Sequence, residues 1–175
     1  MIRVLILGVV ALLVAVPAVA ADKPDVELKE ASVADLTAAV TAQKGKVVVI
    51  DCWFLACAPC VKKFPHVVGV HQKLAAEGMV LMSLDILQDE LPEKDNVLAF
   101  LKKQNAAFQN FIFKDKQETV DKWQEKYEAE AAPALVVFNR KGEWVKTPEI
   151  VSNEKDPEKY AVALTKWVKE LLAEK

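Results

Sequence analysis

The chain predicts an α/β protein of three layers, α/β/α, built on a mixed central sheet. Three observations carry that prediction. Lys46–Trp53 and Met79–Asp85 are apolar almost throughout, as strands covered on both faces are. Helical spacing of apolar residues follows each of them, and in the last such segment Tyr160, Ala163, Leu164, Trp167, Val168, Leu171 and Leu172 form one unbroken stripe. Ala134–Phe138 and Glu143–Val145 flank Gly142 at hairpin spacing, which adds an antiparallel pair.

Taken in order, Val26–Ala31 reads as a first edge strand and Ser32–Thr41 as a short helix with Leu36, Val40 and small alanines inward. Lys46–Trp53 is the central strand, and Asp51 is a charge set inside its apolar run. From about Ala58 to Ala76 the pattern is helical. Pro59 falls in the first turn, where its missing N–H is harmless, and Pro65 falls where it should kink the helix. Met79–Asp85 is a second buried strand. Val97, Phe100 and Leu101 mark a further helix, Phe108–Phe113 a strand, and Val120, Trp123 and Tyr127 one face of the next helix, which leads to Pro133. Asp156 and Pro157 open the last helix, whose stripe is core packing. No internal repeat and no low-complexity linker divides the chain, so residues 21–175 are expected to form a single domain.

The formal net charge is -2, and no basic stripe invites nucleic acid. Lysines of the last helix alternate with glutamates, the pattern of a solvated face rather than a membrane-binding one. At the other end, Arg3 precedes the apolar stretch Val4–Val16, then Pro17 and Ala18-Val19-Ala20, the three regions of a secretory signal with an A-x-A cleavage site. Residues 1–20 are therefore expected to be a signal peptide cut after Ala20. An uncleaved membrane anchor is disfavoured, because the run is shorter than the ~20 apolar residues a spanning helix needs and Pro17 interrupts it. The expected place is the periplasm or the cell exterior, an oxidising space where a disulfide persists unless electrons are delivered.

Chemistry is expected at Cys57-Ala58-Pro59-Cys60, at the junction of the central strand and the following helix. Two cysteines so spaced can close a small disulfide, and the unpaired N–H groups of the helix start favour thiolate at Cys57. Cys60, one turn further in, is placed to resolve a mixed disulfide. A structural disulfide is the plain alternative. A closed zinc site wants four ligands, and only Cys52, His66 and His71 remain to supply the others, with no second C-x-x-C.

Around the motif, Asp51, Trp53, Cys57, Pro59 and Cys60 spell D-x-W-x-x-x-C-x-P-C, with Pro65 five residues on. Further along, Ala132-Pro133-Ala134-Leu135-Val136-Val137-Phe138 is followed by Asn139-Arg140-Lys141-Gly142. On these residues the chain after about residue 26 resembles the thioredoxin-like superfamily, and within it the exported TlpA-like thiol-disulfide oxidoreductases, because the spacing leaves room for that group's β-α insertion. The resemblance implies a cis-proline at Pro133 and a redox-active disulfide Cys57/Cys60. It also implies substrate contacts at Trp53, Ala56, Ala58, Pro59, Ala132 and Pro133. No metal and no organic cofactor is implied; the partners are disulfide- or dithiol-bearing proteins and a membrane thiol electron donor, and the chain is expected to be a monomer. Four positions depart from the pattern. Ala56 stands where relatives carry Trp, Ala132 where many carry a β-branched residue, Ala131 where glycine is usual, and Leu81 where thioredoxin places a lysine near its buried acid.

Asp51 is the candidate proton acceptor for Cys60, since burial without a cation raises a carboxylate's pKa toward neutrality. Cys52 alternates to the opposite strand face and is expected to be a buried, inert thiol. His66 and His71 do not share a helix face and are read as surface residues. The expected function is thiol-disulfide exchange by an exported protein, in the reductive direction. Two alternatives stay open: a disulfide-forming oxidant, and a redox-inert binding module that uses the groove around Pro133.

Overall fold

The computed structural model describes residues 25–174; the expected signal peptide lies outside the described residues. Six strands form one mixed sheet in the order β1-β4-β3-β2-β5-β6. They are β1 Lys29–Ala31, β2 Val47–Trp53, β3 Met79–Asp85, β4 Gln109–Phe113, β5 Ala134–Phe138 and β6 Trp144–Val145. The helices are α1 Val33–Thr41, α2 Ala58–Leu74, α3 Lys94–Lys103, α4 Gln117–Lys126, α5 Glu149–Ser152 and α6 Pro157–Ala173. β2 runs parallel to β3 over its whole length, from Val47 opposite Met79 to Trp53 opposite Asp85. On its other side β5 is antiparallel, with Asp51 opposite Leu135.

Alternation along β2 builds two cores. Val47 and Val49 pack toward α2 and α6 with Val67, Val70, Leu164 and Val168. Val48, Ile50 and Cys52 pack on the opposite face with Met82, Leu84, Phe113 and Val120. Asp51 therefore faces the α2/α6 side and Cys52 the other, as a strand period of two requires. Helix starts are fixed locally. Ser32 and Asp35 form a reciprocal capping box on α1, and Asp156 accepts the N–H groups of Glu158 and Lys159 at α6.

The insertion is present: α3 precedes β4, and β4 slots between β1 and β3. The first strand is shorter than the Val26–Ala31 read from sequence, because only Lys29–Ala31 pairs with β4. α2 continues through Pro65. The short helix α5 carries no long apolar stripe and was invisible to periodicity. Its single buried residue, Val151, joins the α2/α6 core.

Candidate active site

The last three residues of β2 and the first turn of α2 bring the predicted residues together. Phe54 O accepts the Cys57 N–H at 3.1 Å, closing a turn that delivers Cys57 to the N-cap of α2. There its Sγ accepts the Cys60 N–H at 3.3 Å. Cys57 and Cys60 are joined as a disulfide, with Cα atoms 5.2 Å apart. Both are largely buried, while Ala56, Ala58 and Pro59 are exposed around them.

The Ala132–Pro133 peptide bond is cis, as the resemblance implied. Pro133 lines a cleft of about 610 Å³ together with Ala58, Pro59, Lys63 and Asn153. Its neighbour Ala132 lines a second groove on the other side, with Phe54, Leu87 and Glu130. The segment before Pro133 thus forms a rib between two clefts, beside the disulfide.

Trp53 does not stand among these surface groups. It is 1% exposed and lies beneath the site, its ring centroid 5.0 Å from that of Phe64 and 4.9 Å from that of Phe100. The expectation of direct substrate contact at Trp53 is corrected accordingly: it shapes the floor and meets no solvent. Its neighbour on α3, Phe100, comes from the insertion, so the insertion helps to build the floor of the site.

Asp51 is 6% exposed, and burial pushes its carboxyl up to about 7 from an ordinary 3.8, with Lys63 pulling partly the other way. The absence of a lysine at Leu81 therefore does not leave Asp51 without a cation. Lys63, three residues after Cys60 on α2, supplies it from another element. Lys63 is itself buried, its Nζ 4.3 Å above the Tyr160 ring, and burial holds its pKa below the usual value while Asp51 and Glu154 act against that. Sequence gave a hint in the K-K pair after Cys60, yet which of Lys62 and Lys63 turns inward depends on helix phase.

Cys52 is fully buried on the far face, and burial pushes its thiol well above the ordinary value. His71 is less exposed than expected: it stacks edge-on to Phe108 at 5.6 Å, and burial lowers its pKa. No group of three metal-ligating side chains occurs among the described residues. Sequence reasoning also missed an acid. Glu90, in the segment between β3 and α3, accepts the Leu55 N–H at 2.8 Å and the Ala56 N–H at 3.1 Å.

Residues 45–144 match the family model described as thioredoxin-like, so the chain belongs to the thioredoxin-like family. A search of curated proteins returns no significant match. Among solved structures, the chain is similar to the thioredoxin domain of thiol-disulfide oxidoreductase BVU-2223 from Bacteroides vulgatus, at 17% identity and a TM-score of 0.52 over 73% of this chain and 83% of that one. It is likewise similar to a thiol:disulfide interchange protein from Bacteroides sp., at 19% identity and a TM-score of 0.52 over 73% and 76% of the two chains. StoA from Bacillus subtilis matches at 21% identity and a TM-score of 0.51 over 71% and 83%. At these identities the likeness speaks for the fold.

Proposed function

We propose that the chain is an exported thiol-disulfide oxidoreductase that acts on protein substrates in the reductive direction. The observation that carries this reading is the Cys57–Cys60 disulfide at the N-terminus of α2, joined to a strand that carries the buried carboxyl of Asp51. Export rests on the residue 1–20 pattern, and similar proteins described as thiol-disulfide oxidoreductase and interchange proteins lend support.

In the reduced protein, Cys57 as thiolate attacks one sulfur of a substrate disulfide. The Cys57–substrate bond forms, the substrate's own S–S bond breaks, and the released substrate thiolate takes a proton from water. Cys60 then loses its proton to the Asp51 carboxylate and attacks the Cys57 sulfur. The mixed disulfide breaks, the second substrate thiolate is protonated, and Cys57–Cys60 is left oxidised. The substrate gains two electrons from the protein and two protons, one from water and the other the Cys60 proton handed on by Asp51. A carboxyl near 7 is matched to this transfer, since it is ionised often enough to accept and basic enough to take a thiol proton. Substrate contact is assigned to Ala56, Ala58, Pro59, Ala132 and Pro133 around the two clefts. A thiol donor, placed in the membrane by the family resemblance, must return the electrons.

Stopped-flow mixing of the reduced protein with a disulfide-linked peptide tests the scheme. Cys60→Ser should accumulate the mixed disulfide, and Cys57→Ser should form none. Asp51→Asn should keep the first step and slow the second about 10²-fold near neutrality. A second step unchanged across pH removes Asp51 from the mechanism. Equilibration with glutathione decides the direction: a couple more oxidising than glutathione's would make the protein the disulfide-forming oxidant instead.

A further inference from the structure

The turn Phe54–Cys57 points two successive backbone N–H groups, those of Leu55 and Ala56, at one place. Such a pair forms a concavity suited to an anion, and here the anion is built in: Glu90 Oε2 takes the first N–H and Oε1 the second. Glu90 comes from the insertion, 35 residues downstream of Leu55. Behind it lies the Asp85 carboxyl, at the end of β3 and opposite Trp53 in the register. Asp85 Oδ1 accepts the Leu87 N–H at 3.0 Å. Its Oδ2 is buried and has no hydrogen-bond partner. Burial first, then the neighbouring Glu90, pushes Asp85 up to about 8, so at pH 7 Asp85 is mostly neutral and the carboxylate that faces the turn is that of Glu90. That charge sits one residue before Cys57.

We propose that Glu90 is a positioning residue that fixes the turn before Cys57 and, by its charge, disfavours the Cys57 thiolate, which biases the Cys57/Cys60 couple toward the reducing side. The start of α2 stabilises a thiolate at Cys57. Two further N–H groups beside it would add to that effect if they were free, but Glu90 spends them on itself and adds a full negative charge. A less stable thiolate means a less stable reduced form, hence a lower potential. The other buried charges nearby, Asp51 and Lys63, are opposite in sign and act on each other. Glu90 is therefore the group through which the insertion acts on the sulfur chemistry. This rests on the oxidoreductase reading above.

The experiment is equilibration of the full chain with reduced and oxidised glutathione at pH 7. Two glutathione thiols are oxidised to one disulfide for each Cys57–Cys60 bond reduced. Wild type, Glu90→Gln and Glu90→Ala are compared, with thermal unfolding of both redox forms alongside. Both variants should shift the equilibrium about tenfold toward the dithiol, a rise of about 30 mV, and iodoacetamide should alkylate Cys57 faster at pH 7. Should Glu90→Gln fail to fold because its amide meets two donors, Glu90→Ala carries the same test. A potential unchanged within twofold, with unfolding lowered equally in both forms, overturns the proposal and leaves Glu90 as a structural brace. A wild type that exchanges no disulfide with glutathione overturns the oxidoreductase reading instead, so the two failures are distinct.

Discussion

The two ends of β2 are surrounded differently. Val47–Ile50 meet aliphatic neighbours from both cores, and at that end of the sheet the nearest guanidinium, Arg140, stays at the surface and bonds three backbone carbonyls, those of Leu172, Gly45 and Glu77. Asp51–Trp53, by contrast, run into two buried acids, a buried lysine and a buried indole N–H without a partner. Unpaired buried polar groups cost stability. Their concentration beside the disulfide, and at the carboxyl ends of β2 and β3, teaches that the fold keeps one end for cohesion and spends stability at the other.

Asp51→Asn breaks that contrast most strongly. An acid held at about 7 when folded, against an ordinary 3.8, is tolerated in its neutral form. The stability it contributes is therefore fully present below pH 4 and is lost as pH rises to 7. Asp51→Asn should unfold like wild type at pH 4 and be more stable by about 4 kcal/mol at pH 8, read from denaturant melts at the two pH values. Equal differences at both would mean that the carboxyl is not neutral in the folded state. At the cohesive end, Leu164→Ala should cost about 3 kcal/mol at every pH and leave the exchange chemistry unchanged, because it removes methylenes from a filled core. Lys63→Met sharpens the account of Asp51. With the cation gone, the pH midpoint of the resolving step should move upward, and resolution at pH 7 should slow about fivefold by stopped flow. A midpoint that falls instead would show that Lys63 is not what holds Asp51 down. The smallest effect is expected far from both ends: Ser32→Ala, which removes a cap on α1, should lower stability by about 1 kcal/mol with rates untouched.

The strands were legible because burial on both faces or on one writes itself as a run or an alternation, and β3 and β5 fall on the residues read from the sequence. Helix α5 was not, since four residues with one buried side chain leave no period to detect. At the site, Cys57 and Cys60 were legible through local spacing, Asp51 as a charge in an apolar run, and the cis bond at Pro133 only through the family resemblance. Trp53 was half legible: the sequence places it before the motif, but only packing shows it beneath the site. Lys63 and Glu90 escaped for different reasons. Lys63 is one of two adjacent lysines, and helix phase against Tyr160 selects it. Glu90 is one acid in the run Gln88-Asp89-Glu90, and its partners lie 34 and 35 residues away in sequence.

By itself, then, the sequence determined the layers, the position of the cysteine pair at a helix start, and an anomalous acid in a buried strand. Each is a local matter of period, capping or polarity. Tertiary structure alone decided which charges face that pair. It turned Lys63 inward and folded the insertion back so that Glu90 closes on the turn before Cys57, because electrostatic and hydrogen-bond partners are set by distance in space, which chain separation does not encode.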